Sequence, residues 1–327
     1  MEIVVVGATG IVGRNVIKIL SERFPNLTLR CTGSEKSANT KLRMASKQFI
    51  VENTQSFQWS SNQLCIFNTE SDISNQYIPL ALSAGAYVID SSSRYRLDDN
   101  VPLVVPYIVP VDITKSRLFS HSNCVVSPIT SVLYPLHKRF RVDRVIVSTY
   151  QSTAGAGKTA MDECFNETKQ FCESSERRES NIFARSIPFN IIPQIGIFNE
   201  DGISSEEEKI CKELHKIIDK DIYISATSVR VPVLIGHAIS LSMRFKAALS
   251  EVVDLLRRSP RITLSDNYHT PIEIAGQDNV FLGRIRTDMM NDEQWFHMWL
   301  CSDNLRVGAA LDACDIAEAI LKHIPSR

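Results

Sequence analysis

Two periods of hydrophobic and polar positions alternate along the first ninety residues. Residues 2–7, EIVVVG, form an apolar run closed by glycine, which predicts a buried strand. Residues 10–24, GIVGRNVIKILSERF, place Ile11, Val16, Ile17, Leu20 and Phe24 at helical spacing, and LTLRC at 27–31 returns to a strand pattern. LCIFN at 64–68, QYIPLALSAG at 76–85 and AYVID at 86–90 repeat the strand–helix–strand order. Strands alternating with helices predict an α/β fold with a parallel, doubly wound sheet.

Further along, the pattern changes. DRVIVSTYQ (143–151) reads as a strand and GKTAMDECFNETKQF (157–171) as a helix, followed by CESSERRESN (172–181), a charged and Ser-rich segment expected as a loop. SSEEEKICKELHKII (204–218) opens with a capping box on Ser204 or Ser205 and continues as an amphipathic helix. IYISATSVRVPVLIG (222–236) and HAISLSMRF (237–245) predict long strands, the second with Ile239, Leu241, Met243 and Phe245 on one face. NLRVGAALDACDIAEAILKHI (304–324) predicts an apolar closing helix. No internal repeat or low-complexity tract occurs.

At 327 residues the chain is long for a single core, so two domains are expected. A hydrophobic share of 44% and a charged share of 22% describe an ordinary globular protein. The net charge of −1 gives no electrostatic basis for binding nucleic acid or an anionic membrane. No apolar run approaches the roughly 18 residues needed to span a bilayer. Glu2 stands where a secretory signal carries basic residues, so a cytoplasmic location is expected. The eight cysteines are scattered, with no C-x-x-C pair and no zinc spacing, so no metal site is expected.

GATGIVG at 7–13 lies between the first strand and the first helix. Gly7, Gly10 and Gly13 fit G-x-x-G-x-x-G, a dinucleotide fingerprint whose glycines let the backbone approach a pyrophosphate at a helix N-terminus. Thr9, Ile11 and Val12 belong to the same turn. The alternative is a tight strand–helix turn with no ligand. In CTGSEKS (31–37), Ser34, Lys36 and Ser37 are suited to a 2′-phosphate, although Glu35 sits among them; NADP is therefore favoured over NAD.

Cys124, in HSNCVVSPIT, is either one of several buried thiols or a nucleophile. A nucleophilic thiol forms thioesters that accept hydride readily, and it needs a nearby base or positive charge. His237, next to Gly236 between two expected strands, is a candidate partner; a structural histidine is the alternative.

GATGIVG, DSSSRYRLDDNVPLVVP, SNC, STYQSTAGAG, FNIIPQI, RVPVLIGH, GRIR and DNLRVGAA occur in that order over nearly the whole chain. In this the sequence resembles the aspartate-β-semialdehyde dehydrogenase family. The resemblance implies a Rossmann-type NADP-binding domain (1–123 and 303–327) and an α+β catalytic and dimerisation domain with a mixed sheet (124–302). It implies Cys124 as nucleophile, His237 as acid/base and Gln151 as the residue orienting substrate and acyl intermediate. Arg230 would hold the substrate α-carboxylate, Arg96, Asn123 and Lys209 the phosphate, and Glu206 the amino group. Glu206 and Lys209 read equally as a solvated helix face. Gly155 and Asn304 would complete the cofactor contacts. The implied reaction is NADPH-dependent reductive dephosphorylation of L-4-aspartyl phosphate through a cysteine thioester, with His237 protonating the collapsing oxyanion. It would serve lysine or diaminopimelate, threonine and methionine synthesis, in a homodimer.

Three stretches depart from the family pattern: His121-Ser122 where Asn-Pro is usual, VPYIVP at 105–110, and NTESD at 68–72, where Glu70 and Asp72 bring negative charge near the expected cofactor site. Two other readings remain. An N-acetyl-γ-glutamyl-phosphate reductase would offer Glu206 no ammonium partner. A non-catalytic relative would be free to lose Cys124, Gln151, Arg230 and His237, all of which are present.

Overall fold

Ile3, Val4, Val5 and Val6 are completely buried, because β1 (Glu2–Val6) lies between two parallel neighbours inside a sheet. The computed structural model describes residues 1–44, 47–175, 179–290 and 292–324. Its contacts divide the chain into two units, residues 1–122 with the segment from 308 onward, and residues 123–307.

The first unit follows the expected alternation: β1, α1 (Ile11–Arg23), β2 (Leu29–Gly33), β3 (Lys41–Met44), β4 (Lys47–Asn53), β5 (Gln63–Phe67), α2 (Ser71–Ser83), β6 (Tyr87–Asp90), β7 (Leu103–Val104) and β8 (Leu118–His121). The strand order is β3-β4-β2-β1-β5-β6-β8-β7. Every pairing is parallel except β3–β4, an antiparallel hairpin at one edge that the hydrophobic periodicity does not announce. Val4 and Val6 pack with Cys65 and Phe67 against Ile78 and Ala81 of α2. Ile3 and Val5 point to the other face. Both β2 and β5 flank β1 in parallel, so the chain switches direction there. In such sheets the crevice at the carboxyl ends of the strands receives ligands.

The second unit contains α3 (Val126–Phe140), β9 (Arg144–Gln151), α4 (Lys158–Ser174), α5 (Ser205–Ile217), β10 (Tyr223–Arg230), β11 (His237–Arg244), α6 (Leu249–Arg257), β12 (Ile262–Leu264), α7 (Pro271–Ile274), β13 (Val280–Met290) and β14 (Glu293–Ser302). Its mixed sheet has the order β10-β9-β11-β14-β13-β12. Parallel pairing of β9 with β10 sets Gln151 beside Arg230, and antiparallel pairing of β9 with β11 starts β11, at His237, on the same edge. One rim therefore carries three of the expected site residues. The closing helix α8 (Leu311–His323) returns to the first unit and packs on α1 and β6.

Several boundaries differ from the sequence expectation. The strand expected over 222–236 ends at Arg230, because Pro232 cannot donate to the ladder; Thr153 and Ala154 donate instead to the carbonyls of Val233 and Leu234. The helix expected from 304 begins at Leu311, after a wide turn at Arg306–Ala310. Within the loop expected over 172–181, Cys172 to Ser174 extend α4, and 176–178 lie outside the described residues. The capping box settles on Ser204, whose Oγ accepts the Glu207 N–H at 3.3 Å while the Glu207 carboxylate accepts the Ser204 N–H at 2.7 Å.

Candidate active site

Cys124 stands two residues ahead of α3, in a turn that Asn123 builds. The Asn123 carbonyl accepts the Ser127 N–H at 3.0 Å, and its Oδ1 accepts the Val125 N–H at 2.8 Å. Asn123 donates its own N–H to Glu213 at 2.7 Å and its Nδ2 to Glu206 at 2.9 Å. Both glutamates belong to α5, seven residues apart, which puts them on one helix face. Glu207, between them, accepts the Ser228 N–H at 2.8 Å and ties α5 to β10.

The thiols separate by environment. Burial pushes Cys31, Cys65 and Cys301 up to about 12, leaving them protonated and inert. Cys124 is only half-buried, and its Sγ lies 3.4 Å from His237 Nε2. Thiols beside histidine or arginine, at the start of a helix, gain thiolate character. Arg230 is buried at the end of β10, where Nη1 donates to the Ser152 carbonyl at 2.6 Å. Its pKa is lowered by burial, while the charges of Cys124 and Glu206 act the other way.

His237 is wholly buried. Its Nδ1 receives the Ser152 N–H at 3.0 Å, and burial, reinforced by the Arg230 cation, lowers its pKa to about 3. The imidazole is neutral at physiological pH. Gln151 Nε2 donates to Thr149 Oγ1 at 3.2 Å and to Glu206 Oε1 at 3.3 Å. Thus a thiol, an imidazole, a guanidinium, an amide and a carboxylate converge on the rim where β9, β10 and β11 meet. That set suits acyl transfer to sulfur on a small substrate bearing charges of both signs.

In the first unit, a cavity of about 490 Å³ opens at the carboxyl ends of β1, β2 and β5. Gly7, Thr9, Gly10, Ser34 and Ser37 line it. Gly7 has φ +76°, and a Cβ there would sit 2.3 Å from the Asn68 carbonyl oxygen, so only glycine fits. No side chain caps the start of α1, so the amides of Ile11 and Val12 offer the open positive end of a helix. Size, uncapped amides and close backbone approach fit a dinucleotide. Gly13 has another role: a Cβ would meet the Gly7 carbonyl oxygen at 2.3 Å, so this glycine lets α1 pack onto the turn. Lys36 is exposed and does not line the cavity, whereas Glu35 and Glu70 do.

Residues 2–116 match the family model described as semialdehyde dehydrogenase, NAD binding domain, and residues 133–307 match semialdehyde dehydrogenase, dimerisation domain. The aspartate-semialdehyde dehydrogenase of Rickettsia conorii is 38% identical over 98% of both chains, and that of Aquifex aeolicus 37% identical over the same shares. The crystal structure of aspartate semialdehyde dehydrogenase II from Vibrio cholerae superimposes with a TM-score of 0.94 at 34% identity, covering 99% of both chains. A second structure of that protein is a complex with ASA.

The chain belongs to the aspartate-semialdehyde dehydrogenase family.

Within this member of the family, Cys124, Gln151, Glu206, Arg230 and His237 come together as described. Lys209 lies one turn beyond Glu206 on α5, half-buried. Asn123, expected at phosphate, has both main-chain groups and Oδ1 committed to the nucleophile turn and to Glu213, with one Nδ2 proton in use on Glu206. Gly155 lies against the rim: a Cβ would come within 3.1 Å of Arg230 Nη1 and 3.4 Å of His237 Cε1. Asn304 has its Oδ1 occupied by the Ser152 hydroxyl at 3.0 Å and the Gly236 N–H at 2.9 Å. Arg96 is buried in the first unit, donating Nη2 to the Ser91 carbonyl at 2.8 Å. His121 fills a buried position at the end of β8 with Nδ1 on the Ser122 carbonyl at 3.0 Å, and burial lowers its pKa.

Sequence reasoning missed Glu213 and Ser152. Glu213 is one of four glutamates in a helix that also carries three lysines and so looks solvated; only its position one face-repeat from Glu206 could have flagged it. Ser152 acts through its main chain, which side-chain chemistry cannot reveal. Among the described residues no helix is long and apolar enough to cross a membrane.

Proposed function

We propose that this chain converts L-4-aspartyl phosphate to L-aspartate 4-semialdehyde by NADPH-dependent reductive dephosphorylation through a thioester on Cys124. The observation that carries the reading is the 3.4 Å pair of Cys124 Sγ and His237 Nε2 beside a buried arginine and a buried glutamate. The Cys124 thiolate attacks the acyl carbon, and phosphate leaves toward Lys209, the free Nδ2 proton of Asn123 and, on the family resemblance, Arg96. Arg230 pairs with the α-carboxylate and Glu206 with the α-ammonium, so the substrate is held by its two opposite charges. Gln151, anchored by Thr149 and Glu206, orients the acyl group. His237 attends the oxygen of the reacting carbonyl.

NADPH, when bound, supplies the hydride that reduces the thioester carbonyl. The Gly7–Gly10 turn and the first amides of α1 would hold its pyrophosphate, and Ser34 and Ser37 its 2′-phosphate; Gly155 and Asn304 are assigned to the cofactor on the family resemblance alone. Thr9 Oγ1 and Ser37 Oγ, 3.3 Å apart, link the two parts of the cavity. The dimerisation-domain match supports a homodimer. Lysine or diaminopimelate, threonine and methionine synthesis would consume the product.

Glu206 argues against the N-acetylated γ-glutamyl substrate, because an acylated amine carries no positive charge for this buried carboxylate to pair with. The test is an assay of purified protein with aspartate semialdehyde, phosphate and NADP or NAD, beside Cys124→Ala. Phosphate-dependent formation of reduced nicotinamide, absent in the variant, is expected. No turnover from folded protein with either nucleotide overturns the assignment.

A further inference from the structure

Three carboxylates of α5 are buried, and each is spent on a different neighbour. Glu207 closes the capping box on Ser204 and accepts the Ser228 N–H at 2.8 Å, which fixes the start of the helix to β10. Glu213 accepts the Asn123 N–H at 2.7 Å. Glu206 accepts twice on one atom: its Oε1 takes Asn123 Nδ2 at 2.9 Å and Gln151 Nε2 at 3.3 Å. Its Oε2 accepts no hydrogen bond among the described residues.

Neither amide can turn away without loss. Asn123 Oδ1 holds the Val125 N–H at 2.8 Å, so the amide nitrogen has to face Glu206. A carboxylate only accepts, so Gln151 also points its nitrogen there, with Thr149 Oγ1 as second acceptor at 3.2 Å. Oε1 is therefore a polar bridge between the turn that presents Cys124 and the end of β9. Bonds to an ionised oxygen are stronger than neutral ones, and in a buried site they hold both amides in one frame.

We propose that Glu206 is a positioning residue as well as the partner of the substrate ammonium: Oε1 sets the nucleophile turn and Gln151 against each other, and Oε2 is the oxygen left for the ammonium. This rests on the reaction proposed above and adds to it a link between recognition and rate. An ammonium on Oε2 clamps the carboxylate from its second side and so steadies the two amides on Oε1. Succinate semialdehyde, which lacks the amino group, leaves the carboxylate held from one side only. The loss then falls on kcat as well as on KM, so selection for the amino group is expressed in the chemical step.

Two substitutions separate the roles. Glu206→Asp keeps the charge but withdraws it by about 1.5 Å, the length of one carbon–carbon bond. The helix cannot follow, because Glu207 pins it to β10, so both amide bonds are lost. Glu206→Gln loses the charge but keeps an oxygen that accepts both amides. With aspartate semialdehyde, phosphate and NADP, Glu206→Asp should lower kcat by about 30–100-fold and raise KM by less than about fivefold. Glu206→Gln should raise KM by about 10–100-fold, with a kcat about tenfold or more above that of the aspartate variant. Wild type should turn over succinate semialdehyde with a kcat about tenfold or more below that for aspartate semialdehyde. A glutamine variant with a kcat as low as the aspartate variant, an aspartate variant with wild-type kcat, or equal wild-type kcat on the two aldehydes overturns the proposal.

Amide hydrogen exchange followed by mass spectrometry reads the same tie without substrate. The peptide spanning residues 123–127 should exchange about tenfold faster in Glu206→Asp than in wild type, while Glu206→Gln stays close to wild type and peptides from β1 are unchanged in both. Equal protection of residues 123–127 in the three proteins also overturns the proposal. Since exchange needs no turnover, a wild-type protein without dehydrogenase activity counts against the reaction proposed above and not against the tie.

Discussion

Replacing Glu213 tests whether a buried carboxylate sets the nucleophile's position. Glu213 is 1% exposed and accepts the Asn123 N–H at 2.7 Å, the bond immediately before Cys124. In Glu213→Leu that N–H loses its acceptor where no water can replace it, which costs about 1–3 kcal/mol, and the lost bond was charge-assisted, toward the upper end. Leucine fills most of the vacated volume, so the cavity contribution is small. A net loss of about 2–3 kcal/mol corresponds to a fall in Tm of roughly 5–10 °C for a unit of this size. A displacement of the thiol by about 1 Å lowers kcat by about 100-fold. Glu213→Gln keeps an acceptor and should recover most of both losses. Differential scanning fluorimetry and steady-state kinetics on the three proteins decide the matter. A Glu213→Leu protein with wild-type Tm and kcat, or a glutamine variant as impaired as the leucine one, would refute the reasoning.

Gly13→Ala should abolish nucleotide binding and cost upwards of about 1 kcal/mol in stability, because its Cβ would overlap the Gly7 carbonyl oxygen at 2.3 Å; titration of NADPH fluorescence checks it. Glu35→Gln should raise kcat/KM with NADP about fivefold and leave that with NAD nearly unchanged, since it removes roughly 1 kcal/mol of repulsion at the 2′-phosphate. The pKa of His237 in the folded protein, about 3, lies below its unfolded value of about 6.5. The unfolded chain gains a proton as the pH falls through that unfolded value, while the folded one does not. Stability is therefore lost below about pH 6.5, by about 2 kcal/mol at pH 5. Unfolding free energies from urea titrations at pH 7.5 and pH 5 should fall by about 2 kcal/mol more in wild type than in His237→Gln, and equal pH dependence would falsify the assignment. Brief treatment with iodoacetamide at neutral pH should label Cys124 and the exposed Cys172 while sparing Cys31, Cys65 and Cys301, as peptide mass spectrometry would record.

The first unit was legible because its signals are local. A four-residue apolar run, glycines three apart and an apolar helix stripe each specify structure within a dozen residues. The hairpin β3–β4, the helix α3 and the long pair β13–β14 were not read, since their burial is partial and comes from distant neighbours. The expected strand over 222–236 was too long for a specific reason: Val231, Val233 and Leu234 look like strand residues, yet Pro232 breaks the ladder and the segment serves the turn at 151–154 instead.

By itself the sequence determined the α/β alternation, the glycine turn and the presence of a thiol, an imidazole and a guanidinium in family order. Tertiary structure alone decided what those groups do to one another. Cys124 and His237 are 113 positions apart and meet only because β9, β10 and β11 end on one rim. The orientation of the His237 ring depends on a main-chain contact from Ser152, and the nucleophile turn on a carboxylate 90 positions away. Backbone hydrogen bonds and burial carry no residue-type signature, so their effect on chemistry becomes readable only when strand register has placed them.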